Sequence, residues 1–293
     1  MNKVVLITGA SSGMGEITAG FLNDNGYTVY AGTRSKTLAT PSIKGVNNIY
    51  LDVTDSESMN AAVEHIIAQE GKIDVLVNNA GFGLVATAED ATDEEIFQQF
   101  DVNVFGLMKM TRSVLPYMRA AKSGVIINIS SFLGKMGLPL LSHYNASKYA
   151  VEGFVDSIRF EMAPYDVRIH SIQSGLFGTN FAKNGLMVNA ATTQEDSPYS
   201  ALVGHFVPVV AKAINEGPSP QPIANTVKAI IEDEKSKIAI PVGVEATSFI
   251  PMRKELSDES FEAKVKAYME ERIERYAMQD RFGQILVPSE EVV

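Results

Sequence analysis

Tyr144 and Lys148 stand four residues apart, a spacing that makes two side chains neighbours on one face of an α-helix. A tyrosine hydroxyl ordinarily titrates near ~10, and a nearby ammonium favours the phenolate and draws that value toward working pH. Such a tyrosine acts as the acid when a carbonyl is reduced and as the base when an alcohol is oxidised. Ser131 comes thirteen residues earlier, just beyond the apolar run Val125 to Ile129. Open α/β sheets bind ligands at the C-terminal ends of their strands, so a hydroxyl there can hold a substrate oxygen beside Tyr144. Ser130 and Ser131 face opposite ways on a strand, and only one of them meets the substrate.

A second group of residues is suited to an anion. Gly9, Gly13 and Gly15 in TGASSGMG follow a short apolar run and precede a helical pattern, with Ser11, Ser12 and Met14 in the same turn. A glycine-rich turn at a helix N-terminus lets backbone amides approach a pyrophosphate, where the dipole favours negative charge. The spacing is GxxxGxG rather than GxGxxG, and the alternative is a tight turn that needs glycine only for its backbone angles. NAD-binding sheets place an acid at the end of the second strand, about 20 residues further on. Thr33 and Arg34 occupy that place here. A guanidinium binds phosphate through two parallel hydrogen bonds, which favours NADP, with NAD possible; the alternative is a solvated arginine.

The elements that must position these residues alternate along the chain. Strands are expected at Val4 to Ile7, Thr28 to Ala31, Asn48 to Leu51, Ile73 to Val77, Val125 to Ile129 and Val167 to Ile172. Helices are expected after the glycine turn, over Ser56 to Gln69, from Asp93 to about Ala121 and from Tyr144 to about Ala163. This repeated βα rhythm predicts an α/β fold. About 177–222 breaks it and reads as a lid or substrate loop ending in PSPQP; a helix at Ile223 to Asp233 and a strand at Ile238 to Ile240 then return to it. About 257–280 carries Phe261, Val265, Tyr268 and Met269 at helical spacing, a C-terminal amphipathic helix that docks on its own domain or on another subunit. All 293 residues are read as one dinucleotide-binding and catalytic domain.

Composition bounds the function. The formal charge of −10 opposes a nucleic-acid partner, and the absence of cysteine excludes disulfides and a thiol nucleophile. His65, His143, His170 and His205 show no metal-binding spacing, so no metal is expected. The first apolar run is too short for a signal peptide, and no stretch reaches the length needed to cross a bilayer, so a cytoplasmic protein without membrane contact is expected. GASSG is not the GxSxG elbow of a serine hydrolase.

TGASSGMG, NNAG, Asn103 in DVNVFG, NISS and YNASK, in that order, closely resemble the short-chain dehydrogenase/reductase family over about residues 3–179. The resemblance implies a Rossmann-type doubly wound parallel sheet of about seven strands with helices on both faces. It implies Tyr144 as acid and base, Lys148 on the nicotinamide ribose, Ser131 rather than Ser130 orienting the substrate, and Asn103 supporting a water-linked proton relay. Asp52 with Val53 in YLDV resembles the adenine contact, although Asp52 equally suits a cap of the following turn. Asn79, Ala80 and Gly81 resemble the adenine-ribose wall, and Thr179 the residue that bonds the carboxamide. Ser174 and Gly175 stand where the family usually has Pro-Gly, which leaves that loop less rigid.

The expected activity is NADP-dependent interconversion of a carbonyl and a secondary alcohol, in a homodimer or homotetramer. Met136, Leu138, Leu140 and Leu141, with Phe181, Leu186 and Met187 in the lid, suggest an apolar small-molecule substrate, and the C-terminal part is loosely similar to hydroxysteroid and retinol dehydrogenases. The alternatives are a catalytically silent NADP-sensing regulator and an epimerase or dehydratase that retains its nicotinamide. Intact Tyr144 and Lys148 oppose the first; chain length and glycine spacing oppose the second.

Overall fold

The computed structural model describes residues 2–35, 43–179, 181 and 185–281, with side chains as far as residue 271. Val4–Thr8 (β1) is apolar on both faces: Val4 and Leu6 enter one core cluster, while Val5 and Ile7 enter another. Strands covered on both sides belong inside a parallel sheet. β1 pairs in parallel with Thr28–Thr33 (β2) and Val75–Asn78 (β4), and β2 pairs with Asn47–Tyr50 (β3). Gly124–Ser131 (β6) follows β4, Val167–Ser174 (β7) follows β6, and Ala239–Val242 (β9) lies at the edge. The order β3-β2-β1-β4-β6-β7-β9 makes a seven-stranded parallel sheet whose direction of winding reverses between β1 and β4. A cleft outside the strand ends at such a reversal is where this architecture binds ligands.

Helices cover both faces. Ser56–Glu70 (α2), Leu107–Ala121 (α4) and Ser142–Met162 (α5) bury Met59, Val63, Met110, Val114, Val151 and Val155 on one side. Gly13–Asp24 (α1) and Gln221–Glu232 (α7) bury Leu22, Val227 and Ile230 on the other.

Three features depart from the sequence reading. The expected continuous helix from Asp93 is Asp93–Phe100 (α3), a π-helical segment at Asp101–Gly106, then α4. π-turns are rare and recur at functional sites, and this one carries Asn103. The expected irregular stretch 177–222 contains a 16-residue helix, Ser200–Asn215 (α6), and Leu186–Val188 (β8), which pairs with Gly83–Val85 (β5). Val203, Phe206, Val207, Val210 and Ala213 repeat with helical spacing, but β-branched valines and the internal Pro208 weaken the local signal. Tertiary packing makes the helix hold, because Phe206 is buried in a third cluster. Val244–Glu255 (α8) was not anticipated either. Its Ala246, Phe249 and Ile250 join that third cluster together with Phe261, Val265, Tyr268 and Met269 of Asp258–Arg281 (α9), so this part of the C-terminal helix packs on its own chain.

The apolar residues expected to line a substrate pocket are partly core. Met136, Leu140 and Leu141 are buried in the third cluster, and Leu138 and Leu186 pack against it.

Candidate active site

The turn after β1 is built by three glycines with different duties. Gly9 has a φ of +63°, and a β-carbon on it would lie 2.7 Å from Ala80 Cα. Gly13 also has a positive φ, whereas a β-carbon on Gly15 would lie 2.5 Å from Asn79 Nδ2. Ser12, the N-cap of α1, makes no side-chain capping bond, and it is exposed with Ser11. The amides of the first turn are therefore not taken by the Ser12 hydroxyl, which suits an anionic ligand. Met14 packs its side chain on the second cluster, leaving its backbone for a ligand.

The NNAG turn after β4 is laced to the glycine turn. Thr8 Oγ1 accepts from Asn79 N and Ala80 N, each at 3.0 Å, and Asn79 Nδ2 donates to Thr8 O at 3.0 Å and Gly9 O at 2.9 Å. A β-carbon on Gly81 would come within 3.1 Å of Asn103 Oδ1 and 3.9 Å of Lys148 Nζ, so this wall leads directly to the reacting end. Thr33 is buried at the end of β2, while Arg34 is exposed just beyond it. Asp52 Oδ1 accepts from Thr54 N at 2.9 Å and Thr54 Oγ1 at 2.8 Å, which is the turn-capping alternative. Val53 is buried in the first cluster, so its side chain is core. Thr179 reaches the glycine turn from the far side, since a β-carbon on Gly13 would be 3.5 Å from Thr179 Cβ. Gly175 N donates to Val242 O at 2.7 Å. Together the residues present fit a dinucleotide along the β1/β4 cleft.

At the C-terminal end of β6, Ser131 Oγ accepts a hydrogen bond from Leu133 N at 3.1 Å and lies beside the Tyr144 hydroxyl. Ser130 Oγ is buried beside Gly134 and has no hydrogen-bond partner among the described residues. Helix α5 places Tyr144 in its first turn and Lys148 one turn on. Lys148 Nζ donates to Ile129 O at 3.0 Å and lies 5.7 Å from the Tyr144 ring centroid. The electrostatics differ from the sequence expectation. Burial pushes the Tyr144 hydroxyl up to about 12, opposed only by the Ser131 hydroxyl. Burial also pulls Lys148 down to about 8, opposed by the Glu152 carboxylate. Both shifts have the same leading cause, burial, which disfavours the charged form of each group.

Asn103 is buried, and its side chain is engaged in bracing. Its Oδ1 accepts from Phe82 N at 3.0 Å, while Nδ2 donates to Phe82 O at 2.8 Å and Ser147 Oγ at 3.2 Å. Ser147 Oγ in turn donates to Tyr144 O at 2.7 Å, tying the π-segment to the first turn of α5. Sequence reasoning missed Ser147, and also Gln99, which donates to Phe82 O at 2.8 Å and accepts from Leu84 N at 2.7 Å. The four-residue spacing of Gln99 and Asn103, two amides on one helix face, was the available signal, whereas their burial was not legible in the sequence.

Among the described residues no helix is long and apolar enough to cross a membrane, and no group of three or more His, Asp or Glu could hold a metal. A family model described as short chain dehydrogenase matches residues 3–187. A 3-ketodihydrosphingosine reductase from Bacteroides thetaiotaomicron is 38% identical over 241 residues, 82% of this chain and 88% of that one. A short-chain dehydrogenase structure from Streptomyces avermitilis superposes with a TM-score of 0.76 at 31% identity, covering 94% of this chain and 98% of that one. The structure of a 3-ketoacyl-(acyl-carrier-protein) reductase from Brucella melitensis complexed with NADH gives a TM-score of 0.68 at 26% identity, covering 82% and 96%.

Proposed function

Because the chain belongs to the short-chain dehydrogenase/reductase family and is an NAD(P)-dependent oxidoreductase, we propose that it interconverts a carbonyl and a secondary alcohol on a mainly apolar substrate with a preference for NADP. The observation that carries this reading is Ser131 at the C-terminal end of β6 together with Tyr144 and Lys148 one turn apart on α5, the Lys148 Nζ 5.7 Å from the Tyr144 ring centroid. A relative named as a 3-ketodihydrosphingosine reductase supports a ketone as the oxidised substrate.

In this reading the first-turn backbone from Gly9 through Ser11, Ser12, Gly13, Met14 and Gly15 holds the pyrophosphate, Arg34 beside Thr33 the 2'-phosphate, and the backbone at Asp52 and Val53 the adenine. Asn79, Ala80 and Gly81 wall the adenine ribose, Lys148 holds the nicotinamide ribose, and Thr179 with Gly175 its carboxamide. When bound, the reduced nicotinamide supplies a hydride to the carbonyl carbon. Tyr144 gives its proton to the substrate oxygen as Ser131 orients that oxygen. The phenolate left behind is stabilised by the Lys148 ammonium. Asn103 supports a water-linked proton relay, and its amide also holds the Phe82 loop against α5.

Screening the full chain with NADPH against a panel of apolar ketones, followed by absorbance, tests the assignment. Tyr144→Phe is expected to lower kcat by about a hundredfold or more while NADPH still binds. Wild-type turnover in that variant would contradict the mechanism.

A further inference from the structure

The loop leaving β7 lacks the proline that would stiffen it, yet it is restrained at successive positions. Ser174 Oγ donates to Ser130 O at 3.0 Å, Gly175 N to Val242 O at 2.7 Å and Gly178 N to Pro218 O at 2.8 Å. Between these, Leu176 N donates to a carboxylate, Glu245 Oε2, at 3.0 Å. Glu245 is only 5% exposed and lies in an apolar cavity lined by Phe132, Leu176, Val210, Phe249 and Tyr268. A carboxylate in such surroundings is costly to bury. It lies in the first turn of α8, where the helix dipole favours negative charge, and its Oε1 accepts from the Tyr268 hydroxyl of α9 at 3.4 Å. The Tyr268 ring is set edge-on to Phe249 with centroids 4.8 Å apart, which fixes where that hydroxyl points.

The carboxylate and the loop are shaped to each other. A β-carbon on Gly175 would lie 2.8 Å from Glu245 Oε2, so only glycine admits the carboxylate this close to the backbone. Three residues beyond Leu176, Thr179 lies against the Gly13 turn. A continuous set of contacts thus runs from the C-terminal helix through Tyr268, Glu245 and Leu176 to the wall of the cofactor cleft.

We propose that Glu245 is a positioning residue: oriented by Tyr268, it holds the β7 exit loop in the pose that sets Thr179 against the glycine turn, and so couples the C-terminal helix to nicotinamide-dinucleotide affinity. This rests on the functional reading above. It gives the α8–α9 segment a part in cofactor binding.

The test compares the full chain with its Glu245→Ala, Glu245→Gln and Tyr268→Phe variants. NADPH affinity is read by cofactor fluorescence, and KM and kcat with a ketone that the wild type reduces. Glu245→Ala is expected to weaken NADPH about tenfold, the loss of one hydrogen bond to a charged group. Glu245→Gln keeps an acceptor oxygen for Leu176 N and is expected to stay within about twofold of wild type, with Tyr268→Phe at about threefold. An alanine variant that binds NADPH as tightly as wild type, at a temperature where both are folded, overturns the proposal. So does a glutamine variant as weak as the alanine one. Should Glu245→Ala fail to fold, an unchanged affinity in Tyr268→Phe overturns it equally. A wild type that binds neither nicotinamide dinucleotide overturns the functional reading itself, a result distinct from any difference among the variants.

Discussion

Burial moves Tyr144 and Lys148 in opposite directions, and the direction of each decides how activity should depend on pH. With its hydroxyl at about 12, Tyr144 remains a protonated acid across the neutral range. Lys148, at about 8, loses its ammonium as pH rises through that value, and with it the cation that stabilises the phenolate formed on proton donation. For ketone reduction, kcat/KM is therefore expected to be level below about pH 8 and to decline above it, by steady-state rates across a pH series. A profile flat to pH 10 would show that the Lys148 charge is not required. Arg34 is the other residue whose charge carries a prediction. It is exposed where an acid would mark an NAD site. Arg34→Asp is expected to weaken NADPH by about tenfold or more while leaving NADH nearly unchanged, because the lost contact is to the 2'-phosphate. Equal losses for both cofactors, measured by titration, would remove the NADP assignment.

The β1–turn–α1 element is set by backbone geometry rather than by side chains. Gly9 combines a φ of +63° with an approach to Ala80 too close for a β-carbon, whereas Gly26, with a φ of +83°, faces open space. Both substitutions incur left-handed strain, but only Gly9→Ala must also push the NNAG turn aside. Gly9→Ala is expected to lower stability by about 1–3 kcal/mol and to weaken NADPH, whereas Gly26→Ala costs about 1 kcal/mol and leaves affinity intact. Denaturant unfolding and cofactor titration on the same samples separate the two. The π-segment makes the same point at the other wall of the cleft. Its extra residue per turn interrupts the helix at Asn103, which brings one amide to both the Phe82 loop and Ser147 of α5.

Across the whole molecule, a strongly acidic chain presents large aromatics on one set of helices. Phe97 on α3 is 71% exposed and Phe160 on α5 is 66% exposed, with Phe105 and Tyr149 nearby in sequence also exposed. Exposed aromatics of this size mark association surfaces. The homo-oligomer expected from the family is accordingly proposed to assemble through α3 and α5. Light scattering should give a wild-type mass that is a multiple of one chain, and Phe97→Asp with Phe160→Asp should reduce it toward the single chain. A wild type that measures as one chain at micromolar concentration would remove the proposal.

What the sequence determined by itself was everything carried by local period and motif spacing. The apolar runs of β1 and β6, the glycines after β1 and the four-residue interval between Tyr144 and Lys148 are readable without a fold, because each depends on backbone geometry within one or two turns. Helices α6 and α8 were not legible, since valines and internal prolines blur their pattern and they gain stability only by packing into the third cluster. The spacing of Tyr144 and Lys148 places an ammonium near the phenol, whereas the burial that pushes the phenol up depends on tertiary packing and is not legible in the sequence. Only the tertiary structure set Glu245 against Leu176, 69 residues away along the chain, because a contact at that distance is decided by how α8 packs at the end of β9, the strand beside β7, rather than by any residue's neighbours.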